Sequence, residues 1–316
     1  MLKARALNFM CGPVKTFQAN GPNLPTALTV DPSSATYLSN RAAAFMSANR
    51  WSEALSDSQT ALSLDPSNIK VLNRLARIYT SIGQPTEALS TLDRISAAGG
   101  EVKLSDRSSA QSMEYNIKQA EDVIREGTSG SMAIHALDQA ERGLGVGAER
   151  PRKWILLRGQ AYLKMGNVNA LGQAQDVAMN LLRKNAKDPE ALVLRGRALY
   201  GQGDNEKALQ HFREALNCDP DFKEGVKYLR MVQKLDRMKT EGNAAFKGKR
   251  FAKAVEVYTE ALAVDPGNKG TNSKILQNRA MASINVCSSF LLLTPLPFLP
   301  PPLSFLTSHF SSTRVE

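Results

Sequence analysis

The chain has little of what most enzymes and metalloproteins need. Its 316 residues contain three cysteines, Cys11, Cys218 and Cys287, set so far apart that they match no disulfide or metal-ligand spacing. That usage suits a reducing compartment, and a cytoplasmic location (with the nucleus possible) is expected. There is no Walker motif, nucleophile elbow or metal box, so neither catalysis nor a cofactor or metal is expected. The glycine cluster "GLGVGA" (Gly143–Ala148) follows a helical pattern rather than a strand and reads as an inter-repeat turn. No Pro-free apolar run approaches the roughly 20 residues that cross a bilayer, so no membrane partner is expected. Aromatic residues make up only 6% of the chain. The basic segment 223–250 carries nine Lys/Arg against three Asp/Glu but almost no interleaved aromatics, which fits a solvated helix face better than nucleic-acid binding. What remains is an interaction protein of net charge +10, a balance that favours acidic partners.

A period is present. The segment 69–102 repeats, at the same length, the pattern of 35–68: Ala76, Tyr79, Ala88 and Leu92 stand where the first has Ala42, Phe45, Ala54 and Ser58. A copy starting at Pro189 gives Gly196, Leu199, Ala208, Phe212, Ala215 and Pro220. Another starting at Leu235 gives Gly242, Phe246 (one place late), Ala254, Tyr258, Ala261 and Pro266. Small residues at places eight and twenty let two antiparallel helices approach closely. Large residues at places eleven and twenty-four fill the space between pairs, and the proline at place thirty-two ends the second helix. This is the tetratricopeptide (TPR) pattern, and it predicts an all-α, right-handed superhelix (an α-solenoid) with disordered N- and C-terminal ends. Trp51 and Phe251 share place seventeen and are expected at equivalent helix–helix turns. Between the clear copies lie degenerate units, with helices expected from about Ser105 to Arg125, over 131–145 and over 154–166. The excess over the period near 222–242 reads as one long basic helix.

TPR stacks bind peptides along the groove lined by their first helices. Asn40, Arg74 and Asn278 share the sixth place of their repeats. Lys70 and Arg74 are four apart and share a helix face, as do Lys239 and Asn243. Fixed amide and cationic donors on one wall suit a C-terminal carboxylate with an acidic side chain. These residues resemble the carboxylate clamp of TPR co-chaperones, which holds the acidic C-terminal tails of the 70 and 90 kDa heat-shock chaperones. "KTEGNAAF" supplies Lys239 and Asn243, "LQNRA" supplies Asn278, "LSNRA" supplies Asn40, and "NIKVLNRLA" supplies Lys70 and Arg74. The order of parts over about 26–285 resembles the two-TPR-domain J-domain co-chaperones, fungal ones especially. That resemblance implies a non-catalytic adaptor for those chaperones; a TPR scaffold without chaperone specificity is the alternative. The J-domain activity does not carry over, because none of His135, His211 and His309 precedes Pro-Asp.

The expected organisation is an irregular segment over 1–34 with a remnant of a first repeat, a first TPR block over 35–102, and degenerate units over 103–188. A repeat with its long connecting helix follows over 189–234, then an incomplete second block over 235–285 and a tail over 286–316 outside the pattern. From Met1 to Pro25 the chain lacks any acidic residue and holds Pro13, Pro22 and Pro25, which reads as an altered N-terminus more than as a presequence. From Cys287 to Phe310, everything except Cys287, Thr294, Thr307 and His309 is Phe, Leu, Pro or Ser, as a translated intron with its pyrimidine tract would give. With both half-sites incomplete, binding of an acidic tail is expected to be weak, with the half-site of Lys239, Asn243 and Asn278 dominating.

Overall fold

The structure, a computed structural model, describes residues 34–127 and 129–293. Every regular element among them is an α-helix, and there are thirteen. They are α1 (Ala35–Ser47), α2 (Trp51–Leu64), α3 (Ile69–Ser81), α4 (Pro85–Ala97), α5 (Leu104–Glu126), α6 (Gly130–Glu141), α7 (Arg152–Met165), α8 (Val168–Lys184), α9 (Pro189–Gly201), α10 (Asn205–Cys218), α11 (Lys223–Lys247), α12 (Phe251–Val264) and α13 (Lys269–Leu293). The expected disordered ends fall on residues 1–33 and 294–316, outside the described residues. The break in pattern after Asn285 is not a break in helix, since α13 runs on to Leu293.

The chain divides into two compact units. One holds residues up to Lys234 together with Asn268–Thr271, and the other holds Leu235–Gly267 and the residues from Asn272 on. In the first unit consecutive helices pack as hairpins, α1 with α2, α3 with α4, α5 with α6, α7 with α8, and α9 with α10. Local chemistry sets where these helices start. Asn68 caps α3 by accepting from the backbone N–H of Lys70 and Val71 at 3.1 and 3.2 Å. Asp188 does the same for α9 from Glu190 and Ala191, where Pro189 sits at the first helical position and needs no hydrogen bond.

The turn inside each repeat is built identically. Place fifteen is left-handed in all four clear copies: Asn49 (φ 58°), Gly83 (76°), Gly203 (82°) and Lys249 (57°). That conformation lets the following amide reach back to the last turn of the first helix, in Arg50 N–H to Phe45 O (2.9 Å), Gln84 to Tyr79 (2.8 Å), Asp204 to Leu199 (3.0 Å) and Arg250 to Ala245 (2.9 Å). Trp51 and Phe251 are then the first residues of α2 and α12, at the equivalent turns expected for them.

Between the two helices of a repeat the small and large places pack as complements. A Cβ on Gly196 would lie 2.6 Å from the Phe212 ring, and one on Gly242 would lie 2.4 Å from the Tyr258 ring. Where place eight is alanine, its partner shrinks to Leu92 opposite Ala76 and to Ser58 opposite Ala42, all four buried. Places twenty and twenty-seven, Ala54 with Ala61, Ala208 with Ala215 and Ala254 with Ala261, are fully buried. At place eleven of the last copy Ala245, not Phe246, is buried, and Phe246 packs edge-on against Phe251 with ring centroids 5.4 Å apart.

The degenerate units have a core of their own. Met113 and Ile117 of α5, Leu137 of α6, and Trp154, Leu157 and Ala161 of α7 form one buried cluster. The "GLGVGA" segment is the turn between α6 and α7. It docks on the first repeats: Trp51 Nε1–H donates to Val146 O at 2.9 Å, and Gly145 N–H donates to Ser81 O at 2.9 Å. A Cβ on Gly145 would lie 2.4 Å from the Trp51 ring, so only glycine fits there.

Candidate peptide-binding sites

In the first unit, α1, α3 and the link before α5 enclose a groove of about 590 Å³. Its two walls differ in chemistry. Ala43, Met46 and Ser47 of α1 make one, mostly apolar. Lys70, Asn73, Arg74 and Arg77 of α3 make the other, and Glu101 and Lys103 close the end. Residues 70, 74 and 77 share a face because their spacings of three and four return a helix to the same side. Opposite that face, Val71, Leu72 and Leu75 are buried in the repeat core, which fixes the rotation of α3 and turns the cations into the groove.

The link from Gly100 to Lys103 has no regular secondary structure, and Lys103 leads into α5 with an extended backbone. Val102 packs against the core cluster of Leu72, Ala76, Leu92 and Ile95. Glu101 and Lys103, on either side of it, both line the groove.

Electrostatically the groove is poised for an anion. Arg74 is half-buried, and its Nη1 donates to the carbonyl oxygen and the hydroxyl of Ser39, both neutral acceptors. Burial, and then the nearby charge of Arg77, lower its pKa from the usual guanidinium value. Arg77 is held by Asp106 at 2.7 Å. The same place-nine contact recurs between Arg197 and Glu224 at 2.6 Å, so it reads as an inter-repeat structural pair. Among the described residues Lys70, Arg74 and Lys103 pair with no carboxylate. Other half-buried arginines of this unit do: Arg41 binds Asp57 through two bonds of 2.6 and 2.7 Å, and Arg158 binds both Asp138 and Glu141.

The second unit has a smaller cavity of about 230 Å³, lined by Asn243, Phe246, Lys247, Tyr258, Asn278 and Met281. Asn243 Oδ1 accepts from the Tyr258 hydroxyl at 2.7 Å and from Asn278 Nδ2 at 3.1 Å. Burial raises the Tyr258 pKa, so the phenol stays protonated and donates. Both bonds end on Oδ1, so Nδ2 of Asn243 takes part in neither.

Of the six residues singled out from the sequence, the structure brings Lys70 and Arg74 together in the first groove and Asn243 and Asn278 together in the second cavity. Asn40 is half-buried on α1 and stands outside the groove lining, and Lys239 stands outside the cavity lining. The first groove thus holds more cations than the second. Sequence reasoning missed Arg77, Lys103 and Glu101, and in the second cavity Lys247 and the hydroxyl of Tyr258. Arg77 was signalled by its spacing of three from Arg74. Lys103 was signalled by falling one full repeat period after Ile69, at the start of the next repeat.

Comparison with known proteins agrees with this architecture. Family models of the tetratricopeptide repeat match residues 45–103 and 189–222. The chain is a tetratricopeptide-repeat protein. Its relatives are more particular: it is 38% identical over 164 residues to the DnaJ homolog subfamily C member 7 homolog of Schizosaccharomyces pombe, covering 52% of this chain and 34% of that protein. It is 31% identical over 256 residues to DnaJ homolog subfamily C member 7 of Homo sapiens, covering 80% of this chain and 50% of that one. It is therefore a TPR protein related to the DnaJ homolog subfamily C member 7 proteins, and it spans half or less of the length of these relatives. Among solved structures, the P58(IPK) TPR domain aligns with a TM-score of 0.46 at 19% identity, over 85% of this chain and 77% of that one.

Proposed function

We propose that this chain is a non-catalytic co-chaperone adaptor whose first groove receives the acidic C-terminal tails of the 70 and 90 kDa heat-shock chaperones, in the cytoplasm or nucleus. One observation carries the reading: Lys70, Arg74 and Lys103 line a single groove of about 590 Å³ and pair with no carboxylate among the described residues. A guanidinium half-buried against neutral oxygens gains most from an incoming carboxylate, because a charge-assisted bond there replaces weaker ones. Kinship with the DnaJ homolog subfamily C member 7 proteins supports a chaperone as the source of that carboxylate. Asn243 and Asn278, with Lys247 beside them, form a secondary half-site in the second unit, with an amide donor but fewer cations.

Titration of the chain with labelled chaperone-tail peptides, ending in a free carboxylate or in an amide, tests the proposal. Tighter binding of the free acid, weakening as salt rises, is expected. Lys70→Ala should cost roughly 1.5–3 kcal/mol, or about one to two decades of affinity, and Lys239→Ala should cost less. Indifference to amidation and to Lys70→Ala would leave the chain as a TPR scaffold without chaperone specificity.

A further inference from the structure

The groove of the first unit is not uniformly positive. Its lining sets one carboxylate, Glu101, with Lys70, Arg74, Arg77 and Lys103; Asp106, which holds Arg77, is outside that lining. Val102 packs against the core of the repeat, and the residues on either side of it, Glu101 and Lys103, both line the groove. Glu101 thus lies on the groove beside Lys103. No lysine or arginine among the described residues lies within ion-pair distance of it, and it is exposed. In a site for acidic peptides such a residue works against the ligand, unless the ligand brings something for it.

We infer that Glu101 is a specificity-determining residue: it selects acidic peptide ends that carry a basic side chain beside their carboxylates, and it rejects unbroken acidic runs. The inference rests on the peptide-binding reading of the same groove. A ligand that is acidic throughout satisfies Lys70, Arg74 and Lys103 but sets a like charge against Glu101. A ligand with one lysine or arginine near its acidic end satisfies both signs. Specificity of this kind comes from a repulsive element placed within an attractive site. Among the described residues Glu101 makes no ion pair, so its charge is available for recognition.

Two fluorescent peptides test this, identical except for lysine or glutamate at one residue upstream of a shared acidic C-terminus. Their affinities are measured for the native chain, for Glu101→Gln and for Glu101→Lys, at low and high salt. Exposed charge pairs shift affinity by about threefold in either direction, so the ratio between the two peptides should move by about tenfold from native to Glu101→Gln. Glu101→Lys should move it further the same way, and high salt should compress the differences. A structural role for Glu101 would weaken both peptides alike and leave the ratio unchanged. Binding of both peptides with an unmoved ratio overturns the role of Glu101 and leaves the groove reading standing. Failure of the native chain to bind either peptide overturns the groove reading, and this one with it.

Discussion

At the scale of single residues, several side chains sit where the repeat needs a shape that their chemistry does not match. Lys249 occupies the left-handed place that Gly83 and Gly203 fill elsewhere. An L-residue costs roughly 1–2 kcal/mol in that conformation, whereas glycine enters it freely. Lys249→Gly is therefore expected to stabilise the second unit by about 1 kcal/mol, less the extra entropy of glycine in the unfolded chain, as a denaturant titration would read out. Ser58 stands where other repeats place Phe212, Tyr258 or Leu92, and its buried hydroxyl has no hydrogen-bond partner among the described residues. Removing an unsatisfied hydroxyl recovers its desolvation cost, so Ser58→Ala should raise stability by about 1 kcal/mol. A loss of stability in that variant would mean that the hydroxyl is bonded after all.

At the scale of elements, the paired helices depend on the fit between places eight and twenty-four. Gly196→Ala improves helix propensity by up to about 1 kcal/mol, yet drives a methyl group to 2.6 Å from the Phe212 ring. Overpacking of a tight core costs typically about 1–3 kcal/mol, so the steric loss wins and the variant should be net destabilised. Phe212→Leu, combined with it, should restore part of the loss; additivity of the two substitutions would show that they do not communicate. This complementarity was legible in the sequence, because a small and a large residue at a fixed separation leave a period that any single copy betrays. The turn at place fifteen was less legible, since Asn49 and Lys249 disguise a conformation that only the two glycines announce. At the site, Lys70 and Arg74 were legible as cations on one helix face. Glu101 was not, because it lies in a link without helix, and no helical period marks such a segment. Lys239 illustrates the converse, since sharing a face with Asn243 does not bring it to the cavity that Asn243 lines.

At the scale of the molecule, the two units differ in how much apolar surface each hides. The first buries large side chains in every repeat, among them Leu72, Ile95, Leu137, Trp154 and Phe212. In the second, the buried apolar residues among those described are Leu235, Ala245, Ala254, Val257, Tyr258, Ala261, Ile275 and Ala282, half of them alanines. Burial of a full-sized apolar side chain contributes roughly 1.5–3 kcal/mol and an alanine much less. Amides of α12 should therefore exchange with deuterium sooner than those of α9 and α10, and equal protection in the two would contradict this difference.

The docking of Trp51 on the α6–α7 turn has a spectroscopic consequence. The chain has two tryptophans, Trp51 and Trp154, and both lie in the first unit. Trp154 is sealed in the cluster of α5, α6 and α7, where an indole emits towards the blue. Trp51 donates its N–H to Val146 and touches Gly145, so its emission reports whether that turn is seated. Tryptophan fluorescence therefore has two readouts in one unit and none in the other. Phe251, the counterpart of Trp51 at the start of α12, is the position at which a tryptophan would give the second unit a light of its own.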